Sequence, residues 1–186
     1  MSSLNIKFKR IIRKYEFLVQ ELEDASEMLS SATRSFNEAL ANTEDKEFFE
    51  KEKSPQEEEE PEKIQMEPKY KKLFRKIVVK CHPDKIDKTL SENDKNELKE
   101  IYDISVQAYD IGEAAPLIIS AVKLDIDVKD FEDDIYLIDE SCTALEKGIE
   151  QIQGTSAWYY EYILTEEERP AFLKKFIQLT KGSTNK

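Results

Sequence analysis

The sequence predicts an all-α protein: a long antiparallel helical hairpin, coiled-coil-like, that carries a second and shorter helical hairpin. Three observations predict it. Two stretches toward opposite ends of the chain keep apolar residues in alternating steps of four and three. A stretch between them separates lysines from apolar residues at helical spacing. The chain also has only 4 Gly and 6 Pro in 186 residues. Few positions therefore interrupt a helix, and the abundant Leu, Lys, Glu, Gln and Ala lose little rotamer freedom in one.

The elements follow in order. Over residues 1–44, Leu4, Phe8, Ile11, Tyr15, Leu18, Leu22, Ala25, Leu29, Ala32, Phe36 and Ala39 form a heptad seam. No Pro or Gly breaks it, so one helix is expected from about Leu4 to about Ala41. Small residues at Ala25, Ala32 and Ala39 leave room for a partner helix. The beginning of this helix is basic and amphipathic, which suits a packed helix and also a membrane surface. Its charges are spread through it, unlike those of a secretory signal. Residues 45–68 change character, with Pro55, Pro61, Pro68 and the block Glu57 to Glu60. Like charges repel and prolines break helices, so an exposed acidic linker is expected, serving spacing and solubility.

Residues 69–124 begin with Tyr70, Leu73, Phe74, Ile77, Val78 and Cys81 on one helical face. Lys69, Lys72, Lys76 and Lys80 fall on the other, with Lys71 and Arg75 flanking. This helix must end near His82, because Pro83 disfavours α geometry in the residue before it. Ser91 and Asp94 resemble a capping box, with Asp in place of the usual Glu. They open a helix carrying Leu98, Ile101, Tyr102, Ser105, Ala108 and Tyr109, which Gly112 and Pro116 punctuate. A short apolar helix, PLIISAVKL, follows, with Pro116 suited to its first turn. In residues 125–186 a second seam runs through Phe131, Ile135, Ile138, Cys142, Leu145, Ile149 and Ile152, and Gly154 stops it. Thr165 and Glu168 have the spacing to cap a last amphipathic helix near Pro170, and core packing is the expected role of Trp158, Tyr159 and Tyr160. Neither long seam can bury its stripe alone. Antiparallel packing within the chain is the economical solution, and a homodimeric coiled coil is the alternative.

Composition narrows the function classes. The 40 acidic residues outnumber the 28 basic ones, for a net charge of −12. General nucleic-acid binding needs a positive field, so it is not expected. Two widely spaced cysteines, Cys81 and Cys142, make no disulfide framework and read as reduced thiols of an intracellular protein. No stretch is apolar for long enough to span a bilayer.

The chain has a single histidine, His82, followed by Pro83 and Asp84. Zinc ligation would pair it with the adjacent Cys81, which does not match the usual spaced ligands. A Cys81–His82 nucleophile fails because neighbouring residues on a helix point apart. No glycine-rich phosphate loop is present, so neither a metal, a cofactor nor an enzyme activity is expected. Two readings remain. His82 suits a helix C-terminus, Pro83 stops the helix and Asp84 turns the chain. Alternatively, Pro83 fixes the backbone so that His82 and Asp84 are displayed, beside a basic face, to an acidic partner surface.

The stretch LFRKIVVKCHPDK closely resembles helix II and the His-Pro-Asp loop of the J-domain. That family comprises co-chaperones of the seventy-kilodalton heat-shock chaperones. Phe74 stands where the family has a buried aromatic, Ile77 at its core leucine, and Arg75, Lys76 and Lys80 at its basic positions. His82, Pro83, Asp84 and Lys85 match the signature, and Ala108 and Tyr109 resemble the Ala-Tyr pair of helix III. The resemblance covers about Lys69 to Tyr109. It departs from the family in three ways: the interval from His82 to Ala108 is longer, no helix I pattern precedes helix II, and the Gly/Phe-rich linker and paired-cysteine zinc motifs are absent. The long N-terminal helix is a candidate substitute for helix I.

The resemblance implies that the protein recruits such a chaperone and stimulates its ATP hydrolysis. Lys72, Arg75, Lys76, Lys80 and Lys85 would dock on an acidic surface. Asp84 would pair with a chaperone cation, His82 would make polar contacts, and Pro83 would hold the turn. The alternative is a structural or assembly protein, such as a virion component, whose long helices are the interface.

Overall fold

The computed structural model describes residues 3–43, 66–87 and 89–183, and these form seven α-helices and no strand. They are α1 (Ser3–Ala41), α2 (Pro68–Cys81), α3 (Glu92–Ile111), α4 (Ala114–Lys123), α5 (Ile135–Gln153), α6 (Ser156–Trp158) and α7 (Arg169–Ser183). Tight 3-10 turns occupy Pro83–Lys85 and Lys129–Asp134, and a π turn occupies Tyr159–Ile163. Most of the acidic stretch, residues 44–65, lies outside the described residues.

The chain divides into two compact units, Met1–Phe17 with Glu59–Ala144 and Leu18–Glu58 with Leu145–Lys186. At 39 residues α1 is about 60 Å long, more than a small unit can cover, so it contributes to both. The same holds for α5. Each of these helices begins in unit 1 and ends in unit 2. Within unit 1, Lys123 at the end of α4 pairs with Glu16, in the fourth turn of α1, at 2.7 Å.

In unit 1, α2, α3 and α4 pack against one another pairwise. Tyr70, Leu73, Ile77 and Cys81 of α2 are buried, as are Ile101, Ser105 and Ala108 of α3. α4 is buried almost all round: Ala115, Leu117, Ile118, Ile119, Ser120 and Ala121 are all inside. A helix apolar on every side must be a central one, and each of its large aliphatic side chains contributes about 2 kcal/mol by burial. From α1, Phe8 and Ile12 join this core. The helix that packs on both members of the α2–α3 pair is thus α4, which follows them in the chain.

Local signals set the ends. Ser91 caps α3 by accepting the Asp94 N–H at 3.2 Å. The Asp94 carboxylate, one methylene shorter than Glu, takes the Ser91 hydroxyl at 2.7 Å in place of the backbone N–H that a full capping box would use. Gly112 ends α3 in the left-handed region at φ 81°, and the Glu113 N–H reaches the Ala108 carbonyl at 2.8 Å.

Unit 2 is held by an aromatic cluster. Ala32, Phe36 and Leu40 of α1 are buried with Ala157, Tyr160 and Ile177. Phe36 is the hub, with ring centroids 5.2 Å from Tyr160 and 5.1 Å from Phe176. The π turn is tied down at each step. Ser35 donates to the Glu161 carboxylate at 2.8 Å, Tyr162 donates to the Met28 carbonyl at 3.2 Å, and Arg169 donates to the Glu161 carbonyl at 2.7 Å. Trp158 and Tyr160 are buried, whereas Tyr159 is exposed on one side. At the start of α7, Glu168 accepts both the Thr165 N–H at 2.9 Å and its hydroxyl at 2.8 Å. These bonds hold the Glu168 carboxyl below the usual range.

Candidate functional site

The site is the C-terminal end of α2 and the turn that follows it. α2 begins at Pro68, whose missing N–H costs nothing in a first turn. Its start is pinned by Lys69, which donates to both oxygens of Asp134 at 2.8 Å. That carboxylate raises the Lys69 ammonium above its ordinary pKa, chiefly through this hydrogen bond. Stacking of Tyr70 on Phe131, at 5.7 Å between centroids, adds a second clamp. On the α3 side, Phe74 and Tyr109 stack at 4.3 Å with an interplanar angle of 12°. The end of α2 is thus fixed by contacts along its length.

The helix stops where Pro83 requires it. His82 has φ −58° and ψ 130°, an extended value, and its N–H still bonds to the Val78 carbonyl at 2.9 Å. Pro83, Asp84 and Lys85 then make one 3-10 turn, closed by the Lys85 N–H on the His82 carbonyl at 2.8 Å. The imidazole caps this turn: its Nδ1 accepts the Asp84 N–H at 3.2 Å. Its ring edge meets Tyr102 of α3, with centroids 5.3 Å apart. His82 is therefore held from two sides, while the Asp84 side chain is 89% exposed. An open cleft beside the turn is lined by Pro83, Asp84 and Ile86 and by Lys95, Asn96 and Lys99 of α3.

The basic residues divide into two groups. Lys72, Arg75 and Lys76 are exposed on the outward face of α2, and Lys85 is exposed in the turn. Lys80 lies on the flank and donates to the Leu124 carbonyl at the end of α4, at 2.6 Å. That bond ties α2 to α4, and Lys80 stays exposed like Lys72, Arg75 and Lys76. The outward face also has an apolar centre that the sequence reading passed over. Val79 is 60% exposed, three and four residues from Lys76 and Arg75. The same helical spacing that defines the basic face would have found it.

Cys81 is buried and donates to the Ile77 carbonyl at 3.2 Å; burial pushes its thiol pKa up, away from thiolate reactivity. Among the described residues no cluster of three or more His, Cys, Asp or Glu side chains could hold a metal ion. No described helix is long and apolar enough to cross a membrane. Comparison of the chain with protein-family models, with curated proteins and with solved structures returns no match.

Proposed function

We propose that this chain is a J-domain-type co-chaperone. It docks on a seventy-kilodalton heat-shock chaperone through the outward face of α2 and the His82-Pro83-Asp84 turn, and it stimulates ATP hydrolysis by that partner. One observation carries the reading: a solvent-exposed Asp84 carboxylate stands on a turn whose own histidine is locked by the Asp84 N–H and by Tyr102. Such preorganisation leaves little freedom to lose on binding. Lys72, Arg75 and Lys76 supply the field that steers an acidic partner, and Val79 supplies apolar contact among them. Lys80, exposed at the end of the same helix, adds to this field while its ammonium also holds the Leu124 carbonyl.

The test is the ATPase rate of a heat-shock chaperone with and without this protein, at low and moderate salt. Stimulation is expected, weaker at higher salt. It is expected to vanish in His82→Gln and in Asp84→Asn, while Asp84→Asn shifts unfolding free energy by less than about 0.5 kcal/mol. Equal stimulation by wild type and Asp84→Asn would remove the turn from the mechanism.

A structural or assembly role is the second reading. It is favoured by apolar side chains left exposed in unit 2, among them Ile163 and Tyr159. Sedimentation separates the two: a stable large assembly with no stimulation of any chaperone supports assembly.

A further inference from the structure

The first four turns of α1 are unusual for a chain of net charge −12. Between Ser3 and Tyr15 there are five cations, Lys7, Lys9, Arg10, Arg13 and Lys14, and no carboxylate. The first acidic residue, Glu16, is neutralised by Lys123 at 2.7 Å. The sequence suggests that the apolar stripe of this helix could meet a membrane, yet that stripe is occupied. Phe8 and Ile12 are buried in the core of unit 1, and Ile11 and Tyr15 are half-buried.

What remains outside is a second line, Ile6, Arg10, Arg13 and Phe17, spaced i, i+4, i+7 and i+11 on the opposite face. All four are exposed, Ile6 at 60% and Phe17 at 62%. The line is about 16 Å long. Its apolar residues stand at the two ends and its arginines between them, with Lys7 and Lys9 exposed on the flanks.

We propose that this outer face of α1 is a contact surface for an anionic lipid bilayer. The cations meet the headgroup phosphates and carboxylates, and the arginine stems lie along the interface while their heads reach the charge. Ile6 and Phe17 enter the headgroup–acyl boundary at either end. A straight helix with two widely separated apolar side chains lacks the contiguous apolar centre of a protein interface. A nucleic acid would use the arginines but leave Ile6 in water. The negative charge elsewhere in the chain is screened beyond about 8 Å at physiological salt, so it does not cancel the local field.

The experiment is flotation of the full chain with vesicles of phosphatidylcholine and phosphatidylserine at about 7:3, and with phosphatidylcholine alone, at about 0.05 M and about 0.5 M salt. Binding to the anionic vesicles only, lost at high salt, is expected. Arg10→Gln/Arg13→Gln lowers the partition coefficient about 25-fold, roughly fivefold per cation. Phe17→Ser lowers it about tenfold. Lys72→Gln/Lys76→Gln on α2 leaves it unchanged, and circular dichroism verifies that each variant keeps its helix content. No vesicle binding, equal binding to neutral vesicles, wild-type binding by the double arginine variant, or tighter binding to duplex DNA than to anionic vesicles each overturns the proposal.

Discussion

The turn at His82–Lys85 and the cluster around Phe36 are held by opposite means. The turn rests on bonds between near neighbours in sequence: Asp84 N–H to His82, Lys85 N–H to the His82 carbonyl, and His82 N–H to Val78. Its one aromatic contact, to Tyr102, buttresses it without covering it. The cluster is built from residues more than a hundred positions apart, such as Phe36 with Tyr160 and Phe176. It excludes water, whereas the turn presents a carboxylate to water. A display element is therefore built from local bonds, and a stabilising element from distant ones. The two should respond to substitution in different observables.

The largest effect is expected at the hub. Phe36→Ala removes a buried ring that meets three others, and should cost about 4 kcal/mol in denaturant unfolding. A loss below about 1 kcal/mol would show that the cluster closes over the gap and is not the anchor of unit 2. Next is the clamp at the start of α2, the helix that leads into the turn, where the two partners are unequally exposed. The Asp134 side chain is 9% exposed and Lys69 is 42% exposed. Lys69→Met strands a buried carboxylate and should cost about 2 kcal/mol. Asp134→Asn leaves an ammonium that water can reach, and should cost about half as much. Equal losses would mean that the pair is screened alike on both sides.

The smallest effect sharpens the contrast from the side of the turn. Asp87 accepts the Thr89 N–H and hydroxyl, each at 2.8 Å, and the N–H is the main reason its carboxyl titrates below the usual range. A depressed folded-state pKa means that these bonds are complete above the ordinary Asp pKa of about 3.9 and are lost as pH falls through the depressed value. Thr89→Ala removes only the hydroxyl. An NMR titration of Asp87 should therefore move part of the way back toward the ordinary value, and full return would show that the hydroxyl, not the N–H, is the dominant donor.

Legibility in the sequence follows the same divide. The seam positions Phe8, Leu18, Ala25, Ala32 and Phe36 are buried as heptad spacing expects, with Ile12 and Leu40 widening the stripe. Ser91, Gly112, Gly154 and Pro83 end or begin helices where their backbone preferences require it. The fate of Lys80 was not legible. It has the same spacing as the outward lysines, and only the approach of Leu124 gives its ammonium a backbone partner. Val79 was overlooked because an apolar residue near a helix end reads as core until its angular position is weighed. The aromatic run at Trp158 to Tyr162 gave no sign of a π turn, because that geometry depends on partners at Met28, Ser35 and Arg169.

The sequence by itself determined what short-range chemistry can determine: helices from periodicity and composition, their ends from Pro, Gly, Ser and Asp, and the turn that presents Asp84. Each of these needs only a few residues to be satisfied. The tertiary structure decided the choice of α4 as the helix covering α2 and α3, and the backbone partner that Lys80 finds at Leu124. Those outcomes depend on where a chain of 186 residues returns to itself, and a helical stripe states that it must be buried without naming what buries it.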